Sequence, residues 1–262
     1  MFRSTKIIFI FFFTISKTLW ALYSGNPLDP ALIEIGFFQR SDKWYGYEFS
    51  YNIDTVLDKS AQVKILNNDK SIRFSSLKTR KSTGQVIFNI VDTFEINLGA
   101  GAFDLDFSLI PEREKLVRCV MKSSLVLDFG ASAILASWNH NHLGLQGRVS
   151  TSKSSIKNLE INSEPILNSG IKVSYHEWQA GLGISRQIEL LSSYIGLAYT
   201  SISGSIQNPP QGLGLELNSI AEKNPFLLFM GMGFSSYEKI AFNIEVRSIA
   251  ETALTLSAKI RF

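Results

Sequence analysis

The sequence predicts an all-β protein, a transmembrane antiparallel up-and-down β-barrel of the outer membrane, and three observations carry that expectation. Apolar and polar residues alternate over stretches of roughly ten residues, the length a tilted strand needs to cross a bilayer. Aromatic residues sit on the apolar faces near the ends of those stretches. The chain of 262 residues also stops on Phe262 inside such an alternation, as expected where a last strand closes against the first and leaves no edge. An exported soluble β-protein produces alternation too, because one face of each sheet is buried and the other wetted, and it remains the competing fold.

The elements follow in chain order. Residues 1–21 pair a cationic start, Met1 to Lys6, with an apolar stretch, Ile7 to Ile15, and a short exit at Ala21, the pattern of a cleavable secretory signal peptide. The remaining chain, 22–262, reads as one barrel domain. Tyr45, Tyr47, Phe49, Tyr51 and Ile53 share one face against Gly46, Glu48, Ser50 and Asn52. The same split recurs at Val86 to Ile90, and then at Phe94, Ile96, Leu98, Ala100 and Ala102 opposite Glu95, Asn97 and Gly99. Leu125 to Leu135, Leu143 to Val149 and Trp178 to Ile184 repeat it, as does Ile240 to Val246 opposite Asn243, Glu245 and Arg247. The last copy alternates Leu254, Leu256, Ala258, Ile260 and Phe262 with Thr255, Ser257, Lys259 and Arg261. Pro111 to Lys122 breaks the period. Its Leu116, Val117, Val120 and Met121 stand at helical spacing, with Glu112 and Glu114 early and Arg118 and Lys122 late, so a short helix and an irregular strand are both open. Asn67 to Lys70 and Asn208 to Gln211 read as loops. With 262 − 21 = 241 residues after the leader and about 20 per strand and connection, roughly 12 strands are expected, 10 to 16 being possible.

Charge narrows the function classes. Arg3, Lys6 and Lys17 lie in the leader, so 26 − 3 = 23 cationic side chains face 23 anionic ones in the mature chain. That balance removes the support for nucleic-acid binding. Cys119 is the one thiol, so no intrachain disulfide forms and a core or a closed sheet must hold an exported chain together.

Four patches of sequence carry a resemblance. They are Leu22, Gly25, Asn26, Pro27 and Pro30; Asn89, Ile90, Asp92, Phe94 and Leu98 to Ala100; Glu177, Trp178, Gln179 and Ala180 with Tyr194, Ile195 and Gly196; and Glu245, Arg247, Arg261 and Phe262. In order and spacing they resemble the chlamydial major outer membrane protein family of porins, as a short and cysteine-poor member. The segments Phe103 to Ser123 and Gly204 to Lys223 have no counterpart in it. The resemblance implies an outer-membrane porin passing small hydrophilic solutes by diffusion, a contribution to envelope structure, and a homotrimer in outer-membrane lipid delivered by the barrel assembly machinery. The family is cysteine-rich and cross-linked, whereas here one intermolecular bond through Cys119 is the most that remains.

If the apolar faces meet lipid, the opposite parity directs Glu48, Glu95, Asp128, Arg148, Glu245, Arg247, Lys259 and Arg261 inward as candidate pore-lining residues, which avoids about 2–4 kcal/mol for an Arg or Lys at mid-bilayer. Glu245, Arg247, Lys259 and Arg261, three cations against one anion on neighbouring strands, are expected to make a local positive patch. Phe262 is the candidate assembly signal. A non-conducting structural or surface-binding barrel is the alternative function, since the same charges could pair with one another. Metal and catalytic readings are weaker. His140 and His142 form a His-x-His pair but sit in Asn-rich turn chemistry. His176 and Glu177, as successive strand residues, point to opposite faces. No G-x-S-x-G elbow occurs, the paired glycines at 212/214 and 231/233 lack a third glycine and a helix, and no cofactor is expected.

Overall fold

A computed structural model describes residues 25–33, 36–37, 44–65, 71–110, 116–165, 170–207, 217–236 and 239–262. The leader and the two loops expected at 67–70 and 208–211 lie outside the described residues. Among the described residues a 3₁₀ turn at Asp29–Ala31 is followed by strands: β1 (Tyr45–Lys59), β2 (Ala61–Ile65), β3 (Ser71–Ile90), β4 (Phe94–Leu109), β5 (Val117–Met121), β6 (Ser124–Trp138), β7 (Asn141–Ile161), β8 (Glu164–Pro165), β9 (Lys172–Ile188), β10 (Leu191–Gln207), β11 (Leu217–Glu222), β12 (Phe226–Ser235), β13 (Ile240–Ile249) and β14 (Glu251–Arg261). Every strand pairing is antiparallel.

The pairings close twice, at two different circumferences. Around one level the ring runs β1, β3, β4, β6, β7, β9, β10, β12, β13, β14 and back to β1, which is ten strands. Beyond it, β5 continues the line of β6, β2 that of β1, and β11 that of β12. There the ring runs β2, β3, β4, β5, β7, β9, β10, β11 and back to β2, which is eight strands. The β13–β14 hairpin stops short at Ala250, whose carbonyl accepts from Ser60 N at 2.9 Å, and β11 bridges over it to β2. Ten strands is the lower end of the expected range. The reason is strand length: β3 has 20 residues and β7 has 21, about twice what a crossing needs.

Radial polarity reverses where the ring narrows. In the ten-stranded part the outer face carries Tyr47, Phe49, Val86, Leu98, Leu127, Ile195, Leu197, Met230 and Ile244, all exposed. A continuous apolar exterior of this kind belongs in lipid and not in water. Aromatic clusters bound it, with Tyr47 and Phe88 5.3 Å apart toward one end and Trp178 and Tyr199 5.1 Å apart toward the other. On β4 the apolar residues Leu98, Ala100 and Ala102 point out, whereas Phe103, Leu105, Phe107 and Leu109 point in and are buried, with Asp104 and Asp106 exposed between them. The extension is therefore a water-facing barrel with an apolar core, stacked on a lipid-facing barrel with a polar one. The Val117–Met121 segment belongs to that core as a strand, burying Val117, Cys119 and Met121 on alternate positions. A helix over these residues is excluded because period two, with partners on both sides, satisfies both the backbone and the core.

Candidate functional site: the barrel interior

Parity places all eight candidate lining residues inside the barrel. Glu48, Glu95, Asp128, Glu245, Arg247, Lys259 and Arg261 are buried and Arg148 is half-buried. Open water does not solvate the buried seven; the interior is packed in three layers, and these residues belong to the ionic one and to its contacts with the N-terminal segment.

The first layer, at the end with the short turns, is built on the N-terminal segment, which enters the barrel. Asn26, Leu28, Asp29, Leu32 and Ile33 are buried. Asn26 Nδ2 donates to Ser192 Oγ at 2.7 Å and Asn26 Oδ1 accepts from Leu28 N at 3.0 Å, folding the segment on itself. Gly25 N donates to Glu245 Oε2 at 2.9 Å, Asn89 Nδ2 to Pro30 O at 2.7 Å and Asn243 Nδ2 to Asp29 Oδ1 at 3.1 Å. Ser235 Oγ donates to Leu32 O, and Arg261 to Ile33 O. Wall glycines make room for it: a Cβ on Gly144 would stand 2.7 Å from Pro27 O, and one on Gly183 2.8 Å from Pro27 Cγ.

The second layer is ionic. Lys259 Nζ lies 2.7 Å from Glu95 Oε1 and 3.1 Å from Glu48 Oε2, and also donates to Asp29 O at 3.2 Å. Arg261 pairs with Asp92 at 2.6 Å. Further in, Arg247 meets Asp54 at 2.6 Å, Glu251 at 2.5 Å and Glu245 at 3.3 Å, and donates to Thr255 Oγ1 at 2.6 Å. Lys59 bridges Glu177 and Glu251, and Lys81 meets Asp128 at 2.9 Å. The positive patch expected on the closing hairpin is thus absent: Glu48, Glu95 and Asp92 neutralise Lys259 and Arg261, while Asp54, Glu245 and Glu251 surround Arg247. Glu48 and Asp54 on β1 and Asp92 and Glu95 at the turn into β4 are far away in sequence, so counting charges on the closing hairpin missed them; Glu251 stands on that hairpin and was not counted either.

The third layer is the apolar filling of the eight-stranded extension, where Val63, Leu77, Phe103, Leu105, Phe107, Val117, Cys119, Met121, Leu159, Val173, Tyr175, Ile202 and Ile220 form one cluster. Eight strands enclose just enough space for side chains to fill. Phe103 and Tyr175 stack with ring centroids 5.1 Å apart. The Tyr175 hydroxyl donates to Glu177 Oε2 at 3.0 Å and joins this layer to the ionic one.

The remaining sequence candidates fall outside the interior or lose their chemistry. His140 sits at the β6–β7 turn with positive φ, and His142 Nδ1 shares a hydrogen bond with Ser137 Oγ at 2.9 Å; among the described residues no group of three or more His, Cys, Asp and Glu could hold a metal ion. His176 faces outward, against Thr151 Oγ1 at 2.8 Å, while Glu177 points in to Lys59, so the two never meet. Cys119 is buried in the extension core, which corrects its expected role in an intermolecular bond: burial pushes the thiol up to about 12 and hides it from a partner. Phe262 closes the β14 edge through its N–H, which donates to Tyr47 O at 2.9 Å, and its ring is exposed.

Asp54, Lys59, Lys81, Glu177 and Glu251 belong to the ionic layer and were missed as candidates. Asp54 continues the inward parity of Glu48, so the alternation itself could have found it. Lys59 could not be found that way, because the β1–β14 register shifts between Val56 and Asp58 and reverses its parity.

No family model matches the chain, and no curated protein matches it. Among solved structures it is similar to an outer membrane channel from Pseudomonas putida F1, at 11% identity over 91% of this chain and 100% of that one, with a TM-score of 0.47. It is also similar to the outer membrane protease OmpT from Escherichia coli, at 10% identity over 82% and 94% and a TM-score of 0.42. A third is the outer membrane protein OprG from Pseudomonas aeruginosa, at 12% identity over 88% and 99% and a TM-score of 0.35. At these values the likeness carries no functional argument, and the reading of the interior rests on its geometry.

Proposed function

We propose that the protein is an outer-membrane barrel that is closed to solutes in its resting form and serves the envelope as a structural or surface-binding element. The observation that supports this is double closure. The N-terminal segment fills one end of the lumen, an apolar core fills the other, and the charges between them are spent on one another. A path for hydrophilic solutes needs a continuous wet route, and an apolar core in an eight-stranded ring offers none. The test is conductance of the refolded mature protein in a planar bilayer. The expected result is no discrete channel activity, and no activity either when residues 22–33 are deleted, because the extension core stays intact. Steady ohmic conductance of the intact protein would overturn the proposal and restore the porin reading.

A gated pore is the second reading, favoured by one specific observation: the ten-stranded part is polar inside, and the segment closing it is held by hydrogen bonds to the wall together with a small apolar cluster of Leu28, Leu32, Ile33 and Ala241. Conductance that appears on deletion of 22–33 alone would support that reading over the first.

A further inference from the structure

The exterior carries a feature that the interior does not explain. On β7 the outward residues run Val149, Thr151, Lys153, Ser155 and Lys157, alternating with inward Ser150, Ser152, Ser154 and Ile156, the last packed on the extension core. On β9 the outward residues facing them are Trp178, His176, Ser174 and Lys172, in the register Val149↔Trp178, Thr151↔His176, Lys153↔Ser174 and Ser155↔Lys172. On the other side of β7, Lys122 N donates to Ser155 O at 2.8 Å. Ser155 therefore has Lys122, just past the end of β5, on one side, Lys172 of β9 on the other, and Lys153 and Lys157 two residues away along its own strand. All four lysines are exposed.

Cross-strand neighbours on one face stand about 5 Å apart and residues i and i+2 about 7 Å, so four flexible ammonium groups surround one hydroxyl at distances that a single phosphate could span. None of the four enters an ion pair among the described residues, unlike the cations of the interior. Exposed like charges gathered this closely repel one another and gain from a shared anion.

Position decides which anion. The patch begins four residues beyond Trp178, whose ring lies 5.1 Å from Tyr199, itself 5.8 Å from Phe226. This aromatic cluster marks the edge of the apolar belt, the level at which lipid headgroups sit. The barrel's long-loop end thus places a cationic cradle at headgroup height directly above a surface that takes acyl chains. We propose that Lys122, Lys153, Lys157 and Lys172, with Ser155 at their centre, form a binding site for the phosphate of a membrane lipid whose acyl chains lie along the belt below Trp178. The site is independent of whether the lumen conducts.

Native mass spectrometry of the refolded full-length mature protein in detergent tests this, with diphosphoryl lipid A and dioleoylphosphatidylglycerol titrated separately. The expected result is a saturable one-lipid adduct with at least one of the two, weakened at least tenfold in Lys153→Glu/Lys172→Glu. The milder Lys153→Gln/Lys172→Gln should weaken it less, and Lys78→Glu/Arg80→Glu, on the far side of the acidic β4 face, should leave it unchanged. Exposed charges are screened, so the adduct should weaken as ammonium acetate rises. Equal binding by the Lys153/Lys172 variants and the parent would overturn the proposal, as would loss that follows the Lys78/Arg80 control. Displacement by inorganic phosphate at concentrations equal to the lipid would also overturn it, by showing a site for free phosphate that needs no acyl chain.

Discussion

Arg247 shows how much of this barrel's stability depends on charges being matched inside it. The side chain is 1% exposed as a residue, with Asp54, Glu245, Glu251 and Thr255 around its guanidinium. Removing it leaves three carboxylates buried beside the single charge of Lys59, and breaking a buried pair in this way costs about 3–5 kcal/mol. Arg247→Met should therefore lower the urea midpoint of the barrel in detergent sharply. Arg247→Lys should fall between the two, because one ammonium cannot serve a forked set of acceptors. A parental midpoint in Arg247→Met would show that the ionic layer contributes nothing to stability. Cys119 gives a second residue-scale expectation. Thiolate is the reactive form, and a thiol buried in the extension with its pKa raised to about 12 carries almost none at neutral pH. Maleimide labelling should be slow on the folded protein and fast after urea, and rapid labelling of the folded form would contradict the closed core.

Elements pack here through backbone contact as much as through side chains, and glycines show where. A Cβ on Gly196 of β10 would fall 2.2 Å from Phe229 Cζ and 2.5 Å from Leu182 O, the second a backbone atom that cannot step aside. One on Gly147 of β7 would meet nothing nearer than Gln179 O at 3.8 Å. Gly196→Ala should cost about 1–3 kcal/mol as overpacking does and Gly147→Ala close to nothing, as read from paired urea midpoints. Equal midpoints would place Phe229 elsewhere. At this scale the sequence was legible wherever period two ran unbroken: the strand faces around Tyr45 to Ile53, Phe94 to Ala102 and Leu254 to Ile260 are those of the structure. It was less legible at the change of polarity. Leu98, Ala100 and Ala102 give way to Phe103, Leu105 and Phe107 without any break in the strand, so a reading that follows apolar parity ends the strand at Ala102, although its partner exchanges only from lipid to core. Between 116 and 122 the helical spacing of apolar residues was coincidental, because Cys119 and Met121 count as core and Val120 does not. The N-terminal segment was invisible for another reason. Gly25 to Pro30 has no period, and its role comes from partners some 60 to 220 residues away, such as Asn89 and Glu245.

At the scale of the whole molecule, two barrels of opposite radial polarity share five continuous strands, with three more continued by a separate strand, and each closes what the other leaves open. Ten strands alone would leave a polar lumen wide enough to need filling, which the N-terminal segment and the ion pairs supply. The narrower ring needs no plug because its own side chains fill it. Closure is therefore redundant, and redundancy has a measurable signature. Deleting residues 22–33 removes the first seal and leaves the second. Phe103→Ala with Phe107→Ala empties part of the extension core, at about 3–5 kcal/mol for each ring, and leaves the first. Neither lesion by itself should conduct in a planar bilayer, whereas the two combined should give discrete openings, provided that heat-modifiable migration on a gel shows the ten-stranded ring still folded. Conductance from the Phe103/Phe107 lesion alone would mean that the N-terminal segment does not block the lumen. No conductance from the combined variant, in a folded barrel, would assign the block to the layer of Lys59, Lys81, Arg247 and Lys259, each paired with a carboxylate.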